Sequence, residues 1–367
     1  MKRLLCLISN MNTGGAETFL MKLYRNIDRT KYQMDFCINI KDECFYNSEI
    51  RKMGGKIYYI PPKSSDVKAF KKQLAGLIKK EKYEYVLRVT SNAAGFMDLK
   101  IAKKAGAKIC SARSSNSSDG VSIVTKAVHY ISRFLYGRYV DVKFAPSDLA
   151  AEYTFGKKAV AKGQVAQLHN AVDLNIYHYY PEERISIRKE LGIEGKKVIG
   201  HIGRFMHQKN HSFLLDIFNE IKKKEPNAVL LLVGGNGDLE PMVRQKISDL
   251  RLEDSVVFAG IRSDIPQLLS AMDVFVMPSF YEGMPNTVIE AQATGLPCII
   301  SDTITKQANI TDLVEYLPLS EPTSIWADRA IAVINDTRKE TKQNFIDNKY
   351  DIEGVAKQFV KLVFNEE

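Results

Sequence analysis

The segment PSFYEGMPNTVIEAQATGLPCIISD, Pro278–Asp302, contains the signals of a short helix that is followed by a buried strand. Pro285 suits a first helical position, Gly295 suits a helix C-cap, and Pro297 prevents the helix from continuing. The apolar runs on either side, VFVMPS and PCIISD, are typical of fully buried strands. Strand, helix and strand in this order predict one parallel βαβ unit.

The same alternation continues outward along the whole chain. Towards the middle it runs through KKVIGHIGR, AVLLLVGG and SVVFAG, with helices predicted across 212–224, from about 239 and over 265–271. In the first half the strand-like runs are RLLCLIS, MDFCINI, GKIYYIP, YEYVLRV and AKICSAR, with a first helix from about 17 to 26. Apolar strands that alternate with helices predict parallel sheets covered on both faces, an α/β fold.

The chain is too long for one typical core, at 367 residues. The polar, proline-containing stretch LNIYHYYPEERIS, within 170–194, separates the two alternating patterns. We therefore predict two doubly wound domains, 1–173 and 174–345, which face each other across a cleft where the carboxyl ends of their strands meet.

The composition excludes several classes of protein. Hydrophobic residues make up 45% and charged residues 26%, which argues against disorder. No apolar run approaches the roughly 18 residues of a membrane span. The apolar run in MKRLLCLISNMNTGG is too short for a secretion signal, so we expect a first strand there. Five scattered cysteines without a CxxC pair favour a reducing compartment over disulfides or zinc, with each thiol a small buried hydrophobe.

The charge is distributed unevenly. Residues 1–175 carry a balance of +15 and the remainder −6, within a total of +9. This asymmetry favours an anionic partner for the first half, and the basic helical patterns KAFKKQLAGLIKKEKY and TKAVHYISRFLYGRYV favour an anionic membrane surface. For each pattern the alternative is a core-facing apolar stripe with a solvated back. Nucleic acid is disfavoured because no stacking motif or recognition helix stands out.

Two acidic and two basic residues are candidates for binding an anionic ligand that carries a sugar. Glu282 precedes the helix and Glu290 lies on it, flanking a turn whose free N–H groups suit a diphosphate or a sugar. Carboxylates accept hydrogen bonds from sugar and ribose hydroxyls. Arg204 and Lys209 follow the strand KKVIGHIG and suit phosphate. The alternative for the two glutamates is a helix-capping residue and an exposed helix residue. The alternative for Arg204 and Lys209 is a pair of surface cations.

The segment EGMPNTVIEAQATGLP resembles the signature of family 4 retaining glycosyltransferases, enzymes of the GT-B fold with two Rossmann-like domains that use nucleotide-sugar donors. The likeness spans nearly the whole chain. NMNTGGAETFL is similar to the glycine loop of that family, HNAVDLNIY to its interdomain element with Ala171 in place of a glycine, and GHIGRFMHQKN and VGGNGDLE to its donor-side strand ends. Within the family, the chain looks most like bacterial capsular and exopolysaccharide transferases.

The resemblance implies roles for particular residues. Arg204 and Lys209 would grip the diphosphate, Glu282 would bind the transferred sugar, and Glu290 would hold the ribose; the catalytic set is thus Glu282, Arg204 and Lys209. The implied donor-binding residues are Gly14, Gly15, Arg204, Lys209, Gly283, Met284, Asn286, Thr287 and Glu290. The first domain would bind a lipid-linked or oligosaccharide acceptor, and residues 346–367 would cross back onto it as a helix.

The chain has no DxD motif, and two cations with a helix N-terminus can neutralise a departing diphosphate, so we expect neither a metal nor another cofactor. The resemblance further implies retention at the anomeric carbon and a uridine donor. With the basic first half, it places the enzyme in the cytoplasm, peripheral at the inner face of the membrane. NAD binding is disfavoured, because GGNGD lacks the full GxGxxG pattern.

The sequence departs from the family pattern in the first domain, where many members carry a histidine beside the transferred sugar. That position aligns with Ser111 or its neighbours, and no histidine lies in 107–120. Ser111, Arg113 and Asn116 are the predicted acceptor-side substitutes, while His129 falls in an amphipathic helical pattern and is expected to be a packed or surface residue. The alternative functions are a GT-B-fold nucleotide-sugar epimerase or hydrolase and a non-catalytic nucleotide-sugar-binding protein.

Overall fold

A computed structural model of the chain describes residues 1–12, 14–115, 123–235, 237–282 and 284–366. Within these ranges the chain forms two compact units, residues 1–171 with 349–367, and residues 172–348. Each unit holds one parallel sheet with helices on both faces, which confirms the predicted α/β class.

The first unit is built on a sheet of seven described strands. Alternate residues of each strand enter different cores: Leu4 and Cys6 belong to one buried cluster, and Leu5 and Leu7 to another. This two-sided burial explains the continuous apolar runs in the sequence. The sheet order is β3-β2-β1-β4-β5-β6-β7, with β1 Lys2–Leu7, β2 Tyr32–Ile38, β3 Ile57–Tyr59, β4 Tyr85–Thr90, β5 Ile109–Ser114, β6 Val142–Ala145 and β7 Ala166–Gln167.

The helices of the first unit include one from the end of the chain. That last helix is capped by the Asp351 side chain, which accepts the Gly354 N–H, and its Phe359 ring meets Phe144 edge-on at 6.1 Å. The helices are α1 Gly15–Asn26, α2 Asn47–Lys52, α3 Val67–Glu81, α4 Phe96–Ala105, α5 Ile123–Tyr136, α6 Asp148–Phe155, α7 Lys157–Ala161 and, after the second unit, α15 Ile352–Phe364.

The second unit has a sheet of six described strands with the order β10-β9-β8-β11-β12-β13. The chain places β9 and β10 on one side of β8 and then returns to place β11 on its other side. The topological switch point therefore lies between β8 and β11. The strands are β8 Lys197–Ile202, β9 Ala228–Val233, β10 Val256–Gly260, β11 Val274–Met277, β12 Cys298–Ser301 and β13 Val314–Leu317.

The helices of the second unit match the predicted alternation, with a small correction at Pro285. This proline has φ −78° and ψ 93°, an extended conformation, so it is the N-cap of its helix rather than the first helical residue. Gly295, with φ +68°, lies one residue beyond the C-cap Thr294. The helices are α8 Pro181–Glu190, α9 His211–Lys224, α10 Glu240–Asp249, α11 Ile265–Ala271, α12 Asn286–Ala293, α13 Thr323–Val333 and α14 Lys342–Asp347.

The two basic helices of the first unit behave differently. In α3 the apolar residues Phe70, Leu74 and Ile78 are buried, so its stripe faces the core and its lysines form a solvated back. In α5, by contrast, Ile131 is 56% and Phe134 88% exposed. A core-facing apolar stripe therefore accounts for α3, whereas it does not account for the exposed apolar residues of α5.

All five cysteines are buried and free, as the sequence predicts for small core hydrophobes. Among the helices in the described ranges, none has both the length and the apolar character needed to cross a bilayer.

Candidate functional site

The candidate site lies at the switch point of the second unit. The loop after β8, residues 203–210, and the loop after β11, residues 278–285, leave neighbouring strands at the same edge of the sheet. In an open parallel sheet, this is where ligands bind. These loops carry Arg204, Lys209 and Glu282.

Direct hydrogen bonds hold the two loops together. The Phe280 N–H donates to the Gln208 carbonyl at 2.9 Å, and the Gln208 side-chain amide donates to the Tyr281 carbonyl at 3.0 Å. The His207 ring stacks on Phe280, with centroids 4.7 Å apart. A displacement of one loop is therefore expected to displace the other.

Lys209 and Glu282 form an ion pair with 2.7 Å between Nζ and Oε1. Their side chains are only 18% and 10% exposed, so the pair is largely shielded from water. The sequence predicts both residues at the site, with the diphosphate as the partner of Lys209 and the transferred sugar as the partner of Glu282. In the structure they bind each other, so the charge of Lys209 is balanced by a carboxylate.

Arg204 is exposed and forms no ion pair with another residue that the structure describes. Its carbonyl accepts the Met206 N–H at 2.8 Å, which fixes the start of the loop. The guanidinium is therefore available to an anion, with a planar set of donors that matches phosphate oxygens.

The helix α12 begins beside this ion pair and has no side-chain cap. The Val288 and Ile289 N–H groups bond to the Pro285 carbonyl, so the helical ladder starts only there. Of the predicted donor-binding residues, Met284, Asn286, Thr287 and Glu290 are half-buried around the first turns of α12. Gly283 lies outside the described residues. An uncapped N-terminus attracts negative charge.

Glycines let a third loop approach the Arg204 loop closely. Gly234, after β9, has φ +140°, and a Cβ there would collide with the Gly203 carbonyl. A Cβ on Gly237 would collide with the Phe205 carbonyl in the same way. The GGNGD run thus supports the site through backbone packing.

Two buried histidines beneath the site are not predicted from the sequence. His201 in β8 places Nδ1 2.8 Å from the Val276 carbonyl of β11, which joins the two strands at the switch point, and burial lowers its pKa well below the usual range. His211, the first residue of α9, meets it edge-on at 4.8 Å. Histidines near strand ends are the only available signal, and that pattern is too common to predict burial.

A third residue that the sequence does not point to is Arg338, in a polar stretch without any motif. It donates to the carbonyls of Thr294 at 2.9 Å, Leu269 at 2.8 Å and Met272 at 2.6 Å. It therefore ties the end of α12 to the end of α11 and the turn into β11. Burial lowers the pKa of Arg338 to about 10.

In the first unit, the predicted glycine loop leads directly into α1. Gly14 is the N-cap of α1, without a side-chain cap, and Gly15 is its first residue. A Cβ on Gly14 would collide with the Glu17 carboxylate, which folds back over the loop. Burial raises the pKa of Glu17.

Two of the predicted acceptor-side residues are shielded from solvent. Ser111 is fully buried, and Arg113, 2% exposed, donates to Asn170 Oδ1 at 2.6 Å. The Arg113 guanidinium lies 3.9 Å from the Phe19 ring centroid, and burial lowers its pKa to about 9. Asn116 lies outside the described residues. An acceptor role for these residues stays a prediction.

His129 is a packed histidine, as expected. It is 2% exposed, its Nδ1 accepts the Ala93 N–H at 3.0 Å, and its ring stacks on Tyr153. It therefore serves the packing of α5 and is not presented to a ligand.

Comparison with known proteins gives three findings. A family model described as glycosyl transferases group 1 matches residues 196–336. The chain is 34% identical to the putative glycosyltransferase EpsF of Bacillus subtilis (strain 168), over 99% of this chain and 96% of the relative. It is 28% identical to the UDP-Gal:alpha-D-GlcNAc-diphosphoundecaprenol alpha-1,3-galactosyltransferase of Escherichia coli, over 62% of this chain and 59% of that protein.

Solved structures share the fold. HepE from Anabaena in complex with UDP-glucose aligns over 100% of both chains with a TM-score of 0.78 at 18% identity. A glycosyltransferase from Rickettsia africae aligns over 100% of this chain and 99% of its own, with a TM-score of 0.81 at 14% identity. These neighbours confirm the GT-B architecture predicted from the resemblance.

Proposed function

Because this chain belongs to the group 1 glycosyl transferases, we propose that it transfers a sugar from a uridine diphosphate donor to a lipid-linked or oligosaccharide acceptor during synthesis of a cell-surface polysaccharide. One observation carries the proposal: the Lys209–Glu282 pair lies at the switch point beside an uncapped helix and an open Arg204. The name of the Escherichia coli relative, which uses UDP-Gal and a diphosphoundecaprenol acceptor, supports the donor and acceptor classes.

In this proposal each element of the site meets one part of the donor. Arg204, Lys209 and the N–H groups of α12 bind the diphosphate. Glu282 accepts bonds from sugar hydroxyls, and Glu290 from the ribose. Charge-assisted bonds to phosphate strengthen as the bond from the anomeric carbon to the phosphate oxygen breaks, because negative charge then builds on the leaving group. The supporting backbone contacts come from Met284, Asn286 and Thr287.

We propose that the reaction retains the configuration of the anomeric carbon. The bond from this carbon to the phosphate oxygen breaks, the acceptor oxygen bonds to the same face, and the acceptor proton passes to the departing phosphate. No protein base is then required. NMR of the product, which reports the anomeric configuration, tests this step, and an inverted product would contradict it.

We expect transfer at the same rate in excess EDTA and in added Mg²⁺. The physical reason is that fixed cations and helix N–H groups neutralise the leaving diphosphate without a metal. Initial rates of UDP release in both buffers measure this. Activity that collapses in EDTA and recovers with Mg²⁺ would show that the charge is neutralised by a metal instead.

The direct test of the activity is a screen of purified protein against UDP-sugars and lipid-linked or oligosaccharide acceptors. A donor present at 100 times its Kd should stabilise the protein by about 2.7 kcal/mol. Thermal shifts can therefore identify the donor before acceptors are tested. The selected donor should then yield a glycosylated acceptor with UDP in equal amount. Release of UDP without product in every acceptor mixture would favour a hydrolase, and binding without turnover a non-catalytic protein.

We propose that the enzyme works at the inner face of the cell membrane, through the exposed apolar side of α5. Val124 is 73% and Phe134 88% exposed on this helix. Cations border it: the Arg133 guanidinium lies 5.0 Å from the Tyr130 ring centroid, and Lys100 Nζ 5.0 Å from that of Tyr136. An apolar strip between basic residues suits the boundary between anionic headgroups and acyl chains.

Phe134→Asp should lower binding to anionic vesicles about tenfold or more, because it removes an exposed aromatic ring that would insert among the lipids and adds a charge of the wrong sign. Flotation with phosphatidylcholine vesicles, with and without phosphatidylglycerol, measures the bound fraction. Ile185→Asp is the matched control, since Ile185 is 68% exposed on the second unit. Equal binding of both variants and the wild type would exclude α5 as the membrane face.

A further inference from the structure

A cluster of three charged side chains lies at the carboxyl edge of the sheet in the first unit. Lys63 follows β3, Arg88 lies near the end of β4, and Asp98 is in the first turn of α4. Asp98 Oδ1 accepts a hydrogen bond from Lys63 Nζ at 2.8 Å, and Asp98 Oδ2 lies 3.2 Å from Arg88 Nε. Ligands of open parallel sheets bind outside this edge.

The cluster holds one more positive charge than negative charge. The Asp98 side chain is 1% exposed, whereas those of Lys63 and Arg88 are 27% and 14% exposed. Burial lowers the pKa of Lys63; Asp98 acts in the opposite direction, and the charge of Arg88 lowers this pKa further. An excess positive charge that is partly shielded from water is unfavourable, and a bound anion would reduce this cost.

Both cations keep hydrogen-bond donors for a further partner. The Lys63 ammonium has three N–H groups, and Asp98 takes one of them. The two terminal amino groups of Arg88 have no hydrogen-bond partner in the described part of the chain and, unlike its Nε, are not closed off from solvent. A phosphate group suits these reachable donors, because its oxygens accept several charge-assisted bonds at once.

Local structure holds the two cations in place. Lys63 lies in a turn in which the Ser65 N–H and hydroxyl both donate to the Pro62 carbonyl, at 3.1 and 2.8 Å. Its Nζ also lies 5.3 Å from the centroid of the Phe70 ring. Arg88 belongs to an inner strand that pairs with β1 and β5. Donors that are positioned in advance lose little conformational entropy when a ligand binds.

The cluster is a neighbour of α5, the helix with the exposed apolar side. The 3₁₀ turn Ala93–Gly95 contacts both: the Ala93 N–H donates to His129 of α5 at 3.0 Å, and a Cβ on Gly95 would lie 3.0 Å from Arg88 Nε. With α5 at the bilayer, as proposed, a lipid-linked acceptor brings its phosphate group to this part of the first unit. A free oligosaccharide brings no such group.

We propose that Lys63 and Arg88 bind the phosphate group of a lipid-linked acceptor, and that this contact selects such acceptors over free oligosaccharides. Asp98 keeps the two cations side by side. The inference rests on the proposed function, which leaves both acceptor classes open.

Isothermal titration of the full chain with geranyl diphosphate, in saturating UDP, tests the site without sugar transfer. We expect saturable binding, competition by inorganic pyrophosphate, and no binding of geraniol, since the diphosphate is the recognised group. Lys63→Met and Arg88→Met should each weaken binding about tenfold, the effect of losing one charge-assisted bond. Lys103→Met is the matched control, because Lys103 is 26% exposed and pairs with Asp141 at 2.7 Å. Binding of geranyl diphosphate that neither Lys63→Met nor Arg88→Met changes would overturn the site.

Transfer assays identify the source of the phosphate. For a glycan linked to lipid through a diphosphate, Lys63→Met and Arg88→Met should raise KM about tenfold with little change in kcat. For the same glycan without phosphate, KM should equal that of the wild type. Weaker binding of geranyl diphosphate with an unchanged KM for the lipid-linked glycan would assign the site to a free phosphate ion and overturn the acceptor role. Absence of transfer by the wild type to every acceptor would contradict the proposed function and with it the acceptor role, while the titration still reports on the phosphate site.

Discussion

Lys209→Met and Glu282→Gln are expected to shift the affinity for UDP in opposite directions, while both lower the rate of sugar transfer. The two side chains pair at 2.7 Å. One of them attracts a diphosphate and the other repels it. If the pair were only structural, both variants would instead change the affinity for UDP in the same direction.

Lys209→Met should lower kcat about 10²- to 10³-fold, the typical effect of losing one donor to the charge that develops in a transition state. It should also weaken UDP about tenfold or more, because a charge-assisted bond is lost and Glu282 remains unpaired near the phosphates. Isothermal titration and initial rates measure the two effects separately.

Glu282→Gln should tighten UDP several-fold, roughly the effect of removing one negative charge at a few ångströms under partial screening. Its amide oxygen still accepts from Lys209, so the loops keep their contact. Transfer should nevertheless fall about 10²-fold, because a neutral amide is a weaker partner for sugar hydroxyls than a carboxylate. Weaker UDP binding by Glu282→Gln, or full activity in either variant, would contradict these roles.

Arg338→Met is the second change with a large expected effect, on stability. The guanidinium donates to the Thr294, Leu269 and Met272 carbonyls at the ends of α12 and α11. Removing it takes one donor from each of these carbonyls while the aliphatic stem is kept; the Met272 carbonyl still accepts from the Arg184 guanidinium at 3.0 Å. We expect the free energy of unfolding to fall by about 3 kcal/mol or more.

Thermal denaturation of the full chain should show this loss as a Tm lower by about 6–12 °C for a unit of this size. Arg338→Lys should recover only part of it, because an ammonium group cannot reach all the carbonyls that the planar fork reaches. Lys339→Met, at the exposed neighbouring residue, is the control for loss of charge alone. A Tm equal to that of the control would show that Arg338 is dispensable to the fold.

Much of the fold could be predicted because its signals are local. Strand and helix periods lie within a few residues, and α11 occupies Ile265–Ala271 as the pattern predicts. Since the carboxyl ends of neighbouring parallel strands meet at one edge of a sheet, Lys209 and Glu282 could be brought to one site from motifs 73 residues apart.

Local pattern could not predict how side chains satisfy one another. Lys209 and Glu282 each suit a ligand, and only the fold shows that they suit each other. The helices α3 and α5 have similar amphipathic sequences, yet Phe70 is buried and Phe134 is 88% exposed. Which face a helix buries depends on the neighbour it packs against, and the periodicity carries no information about that neighbour.

The central claim is that Arg204, Lys209 and the start of α12 hold the diphosphate of the donor. A crystal structure with bound UDP tests it most directly. The claim predicts phosphate oxygens within about 3.2 Å of the Arg204 guanidinium, of Lys209 Nζ and of a backbone N–H in the first turn of α12. A diphosphate bound elsewhere, with Arg204 still facing solvent and Lys209 bonded only to Glu282, would contradict it.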